Sequence, residues 1–415
     1  MSLFAIFALL MTITALFSFL NERWFKLPTT IGVMVASLLA SIILIILSRL
    51  GLNASGWAFS ILQRIDFNAL LMKGMLSFLL FAGALHLDLD SLLDRRWSIL
   101  TLATVGVLIS TFMIGTASWL IFNAIGLEVP FVYALLFGAL ISPTDPIAVL
   151  GLLKRAKMPG TLETMITGES LFNDGVGVVV FTLVLGFIAG GHEMSLWETG
   201  KLFFVEAIGG VIYGILLGLL GYLFLKSVDN YKVEALLSLA LVTGGYALAG
   251  FLHTSGPIAM VVAGLFIGNR GRAFAMSDKT RERLDDFWEL MDEILNALLF
   301  VMIGLEVLVL DLMRPYFVAG FLLIPTVLIS RFFSVGIPLS LLRYYKAPPP
   351  YTIRIMTWGG LRGGVSIALA LSLPLSPQRG LILMSTYIIV IFAILVQGLT
   401  FGRLARWVSA KIPSV

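Results

Sequence analysis

No cysteine occurs anywhere in the 415 residues. That excludes disulfides, thiolate metal sites and cysteine nucleophiles together. Histidine is nearly as scarce: there are three, with no HExxH or paired-histidine spacing, which argues against a zinc enzyme. No nucleophile–base pair is visible either, so the chain does not read as an enzyme, and nothing in it calls for a cofactor. Charge is thin as well: Asp, Glu, Lys and Arg make up 13% of the residues, against 59% hydrophobic ones. A soluble chain of this length could not hide so much apolar surface, and a mean hydropathy of +1.00 places most of it in lipid. The net charge of +4 does not point to nucleic acid, because the basic residues lie in short loops between apolar segments.

What is present is a succession of apolar windows, each about 20 residues long and able to cross a bilayer core of about 30 Å. Polar and turn-rich breaks predict about thirteen spans, at roughly 2–20, 28–48, 67–87, 98–125, 130–152, 161–190, 197–226, 233–252, 256–269, 293–311, 317–342, 352–374 and 380–402. The fold class is therefore an all-α polytopic membrane protein. The first segment has no positive residue ahead of it and no small-residue cleavage site, so it reads as a retained helix. Lys and Arg crowd into the loops after odd-numbered spans and the C-terminal tail, for example Arg23, Lys26, Lys154, Arg155, Arg281 and Arg403. The opposite loops hold only Arg49, Arg64, Lys201, Arg314 and Arg379. The positive-inside rule then puts the N-terminus outside and the C-terminus in the cytoplasm. The charged stretch 270–292 reads as an interfacial linker helix on the cytoplasmic face. The short tail after the last span leaves no room for a soluble regulatory domain.

Two spans are broken near their middles. "ALISPTDPIAVLGLL" holds Pro143, Thr144, Asp145 and Pro146. Two prolines remove two backbone donors and oppose helical geometry in the residues before them. "MTWGGLRGGVSIALALSLP" sets Gly359, Gly360, Gly363 and Gly364 around Arg362, too many glycines for a regular helix. Irregular backbone at membrane depth survives only inside protein or beside a watery cavity. Interrupted segments at matching places in two halves are the best sequence pointer to a transporter's binding site. These two, the fifth and twelfth spans, run in opposite directions, as in an inverted repeat. If their half-helix ends meet, Asp145 complements the positive N-terminal ends and Arg362 the negative C-terminal ends.

"GESLFNDG", residues 168–175, lies in the sixth span. On a helix Ser170 and Asp174 share one face, and Glu169 and Asn173 its neighbour. An ionised residue at the bilayer centre costs about 2.5–3.5 kcal/mol on insertion scales, so two of them need partners or a task. An oxygen-only set suits a hard cation. A proton and a cation exclude each other at a single carboxylate, and that exclusion is the minimum machinery of exchange. Asp174 is the candidate for this role. Glu169 is the better candidate for a structural one, because Arg362 needs an anion. Arg331, in "LISRFFSV", is expected to balance a carboxylate such as Asp145.

The set "SPTDP", "GESLFNDG" and "TWGGLRGGVSIALALSLP", in this order, closely resembles the cation/proton antiporters of the NhaP and sodium/hydrogen exchanger type, over essentially the whole chain. The resemblance implies a single transmembrane antiporter domain over 1–415 with crossed discontinuous helices and inverted repeats. Core helices at about 98–190 and 317–402 would move like an elevator against a dimerisation scaffold. It implies a homodimer in membrane lipid, most simply a prokaryotic inner membrane, serving pH homeostasis by exchanging Na⁺, or else Li⁺, for H⁺. By motif, Asp174 is the cation- and proton-binding carboxylate. Thr144, Asp145 and Ser170 are further ligands beside Asn173, and Glu169 with Arg362 matches the family's ion pair. The Asn–Asp pair resembles the electroneutral branch, one cation for one proton. A K⁺/H⁺ antiporter and a sodium-coupled symporter of an organic anion are the alternatives.

Overall fold

A computed structural model describes residues 3–50, 66–189, 196–310, 313–343 and 347–411. Among the described residues the regular structure is helical. Eight helices among these residues are long and apolar enough to cross a membrane. Examples are α1 (Leu3–Leu20), α2 (Thr29–Arg49), α7 (Gly160–Ala189), α8 (Leu196–Ser227), α9 (Tyr231–Phe251) and α12 (Arg314–Leu342). The remaining five expected spans fall short for visible reasons. The third carries a π-turn at Leu71–Met75 ahead of α3 (Leu76–Leu85). The ninth is the short α10 (Gly256–Phe266), started by Ser255 capping the Ile258 N–H. The tenth is the rear half of α11 (Asp278–Glu306), whose front half is charged. The fifth and twelfth are each cut in two.

The fifth becomes α5 (Phe131–Ile141) and α6 (Ile147–Arg155). The twelfth becomes α13 (Thr352–Gly359) and α14 (Gly364–Leu371). Prolines and glycines stand at these breaks for the reasons the sequence suggests: no donor at Pro143 and Pro146, no side-chain restraint at Gly360 and Gly363. The 270–292 segment departs from expectation. From Asp278 onward it is no separate linker but runs without interruption into the tenth span, capped by Ser277 accepting from the Thr280 N–H. Leu284 and Trp288 turn inward, and the Trp288 indole N–H donates to Ser238 at 3.1 Å. Burial of those two apolar side chains against α3 and α9 holds this front half to the body of the protein.

Two apolar cores result. One joins α3, α8, α9 and α10 around Phe81, Met260 and Trp288. The other is larger and gathers α2, α5, the rear of α11, α12 and the C-terminal helices around Phe137, Phe300 and Tyr387. The helix α7 is inserted between them, sending Leu171 to the first and Met165 and Phe181 to the second. The polar face of α7 thus comes to lie beside both breaks.

Candidate functional site

The two breaks meet through their backbones. The Asp145 N–H donates to the Leu361 carbonyl at 2.9 Å, forming an antiparallel bridge. This answers part of the question that unwound backbone poses in a membrane, since a donor freed from one helix is satisfied by an acceptor freed from the other. The Asp145 side chain then turns back and accepts from the Ile147 N–H at 2.9 Å. It thereby caps the first turn of α6 at the end where the helix dipole is positive.

Arg362 serves the opposite pole. Its Nη1 donates to the carbonyls of Ser142 at 2.6 Å and Pro143 at 2.9 Å, which follow the last turn of α5. The guanidinium is buried, and its Nε and Nη2 have no hydrogen-bond partner among the described residues. The expected pair between Arg362 and Glu169 is not what the structure contains. Glu169 is held by Arg331, from α12, through Nη1 to Oε1 at 2.5 Å and Nη2 to Oε2 at 2.7 Å. Arg331 therefore does not balance Asp145, and its Nε reaches the Met356 carbonyl at 3.2 Å. The physical reason is the fork: the planar guanidinium of Arg331 meets a carboxylate edge to edge. Arg362, drawn to carbonyls at a helix end, does not present that edge to Glu169. Glu169 and Arg331 are 1% and 7% exposed, so both charges are withdrawn from water as a pair.

The remaining site residues cluster on the other side of the first break. The Asn173 amide makes two bonds to Thr144: its Nδ2 donates to Oγ1 at 2.9 Å, and its Oδ1 accepts from the backbone N–H at 3.3 Å. The Thr144 hydroxyl also meets the Ser170 hydroxyl at 3.2 Å. Thr144, Ser170 and Asn173 are all buried. They fix the unwound segment against α7 and leave hydroxyl oxygens facing a cavity of about 130 Å³. Asp174 and Asp145 line this same cavity, both half-buried, and interact electrostatically. Among the described residues no group hydrogen-bonds the Asp174 carboxylate. A carboxylate facing a small cavity beside a second carboxylate and two hydroxyls is suited to receive a positive guest, whether proton or cation.

The structure thus brings Thr144, Asp145, Ser170, Asn173 and Asp174 together, and sets Glu169, Arg331 and Arg362 behind them. Two cavity-lining groups were not singled out in the sequence. Ser366, at the start of α14, is buried with a hydroxyl that has no partner among the described residues. Asp292 stands on α11 in what read as a linker. The available signal for Asp292 was its spacing of four from Asn296 at the edge of an apolar run.

The chain as a whole is similar to known proteins. Residues 6–407 match the family model described as sodium/hydrogen exchanger, transmembrane. The chain belongs to the sodium/hydrogen exchanger family. It is 53% identical to the Na⁺/H⁺ antiporter NhaP of Pseudomonas aeruginosa, over 98% of this chain and 97% of that one. It is 36% identical to the Na⁺/H⁺ antiporter NhaH of Halobacillus dabanensis, over 82% and 83%. In fold it is similar to the sodium proton antiporter MjNhaP1 of Methanocaldococcus jannaschii, solved at pH 8, with a TM-score of 0.75 at 20% identity and 96% of each chain covered. A member of this family is an integral membrane transporter, not an enzyme.

Proposed function

We propose that the protein exchanges Na⁺ for H⁺ across the membrane, with the two ions competing for Asp174. The observation that carries this reading is the position of Asp174. It is half-buried, free of protein hydrogen bonds among the described residues, and faces Asp145, Thr144 and Ser170 in one small cavity at the meeting of two broken helices. A dehydrated Na⁺ needs several hard oxygen ligands, and this corner supplies carboxylate and hydroxyl oxygens together with carbonyls left over where the helix unwinds. When the site is empty of metal, a proton neutralises the same carboxylate. Neither ion is admitted with the other, so each turn of the carrier returns one for one.

The finer architecture is part of the same proposal. Thirteen spans, two crossed discontinuous helices and inverted repeats account for both the eight long helices and the five broken or short ones. Helices at about 98–190 and 317–402 form the moving core, and the rest a scaffold. The outer face of α8, with Ile208, Ile212, Leu216 and Leu223 exposed, supports contact with lipid or with a second copy in a homodimer. The basic loops favour an outside N-terminus and a cytoplasmic C-terminus in a bacterial inner membrane. A sodium-coupled symporter of an organic anion is disfavoured by the size of the cavity, about 130 Å³ and mostly walled by aliphatic side chains. Exchange of K⁺ in place of Na⁺ is the alternative that remains to be separated by assay.

The test is direct. Purified protein in liposomes with a pH-reporting dye inside receives Na⁺, Li⁺ and K⁺ in turn. Proton movement on Na⁺ addition is the expected result. Proton movement with K⁺ alone would replace the cation, and none with any of the three would end the reading.

A further inference from the structure

A second cavity, of about 340 Å³, lies beside the first. Thr29 at the start of α2, Arg155 at the end of α6, and Glu289, Asp292, Glu293 and Asn296 along α11 line it. The two cavities share Ile147, Leu150 and Asp292. Asp292 therefore stands in the wall between the outer space and the one that holds Asp174, half-buried and near enough to Asp145 to interact with it. Arg155 and its chain neighbour Lys154 belong to the basic loops, so the larger cavity opens on the side those loops occupy.

Asn296 is the telling residue. It lies one helical turn beyond Asp292, on the same face of α11. It is 1% exposed, and among the described residues neither its amide nitrogen nor its amide oxygen makes a hydrogen bond of good geometry, the Asp292 carboxylate being the polar group beside it. Buried side-chain amides are almost always bonded, because leaving them bare forfeits their hydration with no return. An amide oxygen next to a carboxylate, in a space roomy enough for water, suits a hard cation that keeps part of its hydration shell. Among the described residues no three acidic or histidine side chains converge as a metal cage. One carboxylate and one amide suit a singly charged ion held by two protein groups and water.

We propose that Asp292 and Asn296 form a second monovalent-cation site, a staging post through which Na⁺ passes between the outer cavity and Asp174. This rests on Asp174 as the exchange carboxylate. Glu289 and Glu293 raise the local cation concentration at the mouth, and Asp292 with Asn296 holds one ion beside the last step. A cation already seated at Asp174 repels a second at Asp292, so arrival of one speeds departure of the other, as between neighbouring sites in a pore.

Equilibrium binding of ²²Na⁺ to detergent-purified protein at alkaline pH tests this. Wild type is expected to show two classes of site. Asp174→Asn should keep the class at Asp292, and Asp292→Asn the class at Asp174. A single class in wild type that disappears entirely in Asp174→Asn would overturn the proposal. In oriented proteoliposomes Asp292→Asn should raise the KM for Na⁺ presented on the basic-loop side by roughly tenfold, the effect of losing one nearby charge. Asp292→Glu should restore it, and KM on the far side should stay within about twofold. An equal change on both sides, or none, would also overturn it. If Asp292→Asn does not fold, Asn296→Leu serves instead. That near-isosteric change removes an amide that makes no hydrogen bond of good geometry among the described residues, so it should keep the Tm without Na⁺ and lose one binding class, and retention of both classes counts against the site. Exchange that persists in Asp174→Asn would sink the reading of Asp174, while the ²²Na⁺ class at Asp292 is read independently in that same variant.

Discussion

Arg331 holds Glu169 by both carboxylate oxygens, at 2.5 and 2.7 Å, in a pocket where neither is more than 7% exposed. The pair ties α12 to α7 behind the cavity that Asp174 lines, and it leaves Arg362 free to serve the carbonyls of Ser142 and Pro143. Two buried cations thus share the work at this depth: one neutralises a carboxylate, the other a helix end.

Removing one member of the Glu169–Arg331 pair strands the other as a buried, unpaired charge, at a cost of about 3–5 kcal/mol. Glu169→Gln and Arg331→Ala should each lower the Tm of the purified protein strongly, and the double variant should lose clearly less than the sum. The same cycle run on Glu169 and Arg362 should be closer to additive, because no hydrogen bond joins them. A thermal double-mutant cycle reads both, and strong coupling of Glu169 to Arg362 without coupling to Arg331 would contradict the geometry.

How much of this was legible beforehand divides along physical lines. The breaks were legible, because proline and clustered glycine act locally on the backbone wherever they stand. The stripe of Ser170 and Asp174 was legible too, because helical periodicity alone puts them on one face. The partner of Glu169 was not. Arg331 and Arg362 are both cations at membrane depth, and which one reaches the carboxylate is settled by packing among α7, α12 and α13. A faint signal existed at Gly360, where a Cβ would run into the Arg331 guanidinium. The absent side chain leaves the lane through which Arg331 arrives. Asp292 was hidden for a different reason. The charge density of 270–292 matched an interfacial linker, and only the continuity of α11 carries that charge to the edge of the site.

Gly363 should be intolerant of any side chain. A Cβ there would collide with the Asp145 carboxylate. Gly363→Ala is therefore expected to push Asp145 off the Ile147 N–H and out of the cavity. The protein should still fold, with a stability loss of about 1–3 kcal/mol, typical of overpacking, while the KM for Na⁺ rises and the rate falls. Unchanged transport in a folded Gly363→Ala protein would show that Asp145 does not shape the cation site.

Asp174→Asn keeps the shape of the side chain and removes the charge. It should abolish cation-driven proton movement and leave the Tm near or above that of wild type, since a half-buried charge without a hydrogen-bond partner among the described residues is replaced by a neutral amide. Proton flux on Na⁺ addition to liposomes, alongside a thermal melt, separates loss of function from loss of fold. Cation-driven flux surviving in a well-folded variant would remove Asp174 from its role.

The pH dependence follows from the proposal that one carboxylate serves two ions. A proton on Asp174 displaces the cation, so apparent Na⁺ affinity should weaken about tenfold for each unit the pH falls below the site's pKa, the slope of a single competing proton. Above that pKa affinity should level off, because the carboxylate is already ionised and waiting. The sign is fixed: acid weakens Na⁺ binding, and alkali cannot improve it beyond the plateau. With equal pH on both sides, turnover should fall in strong acid, where protons hold the site against Na⁺. It should fall again in strong alkali, where the empty carrier finds no proton for its return. The profile is thus a bell, and raising the Na⁺ concentration should slide its peak to lower pH, since more cation is needed to displace more protons. Asn173 makes the same prediction electrical. It spends its amide on Thr144 and carries no charge, so the α7 site offers one titrating carboxylate beside it and not two. One Na⁺ then trades for one H⁺, and the rate should not respond to an imposed potential. Exchange measured in proteoliposomes at equal pH, over a range of Na⁺ concentrations and with or without a valinomycin-clamped K⁺ potential, reads both results. A Na⁺ affinity that ignores pH, or a rate that follows the voltage, would mean that a second proton-carrying group takes part, with Asp145 the nearest candidate at the same cavity.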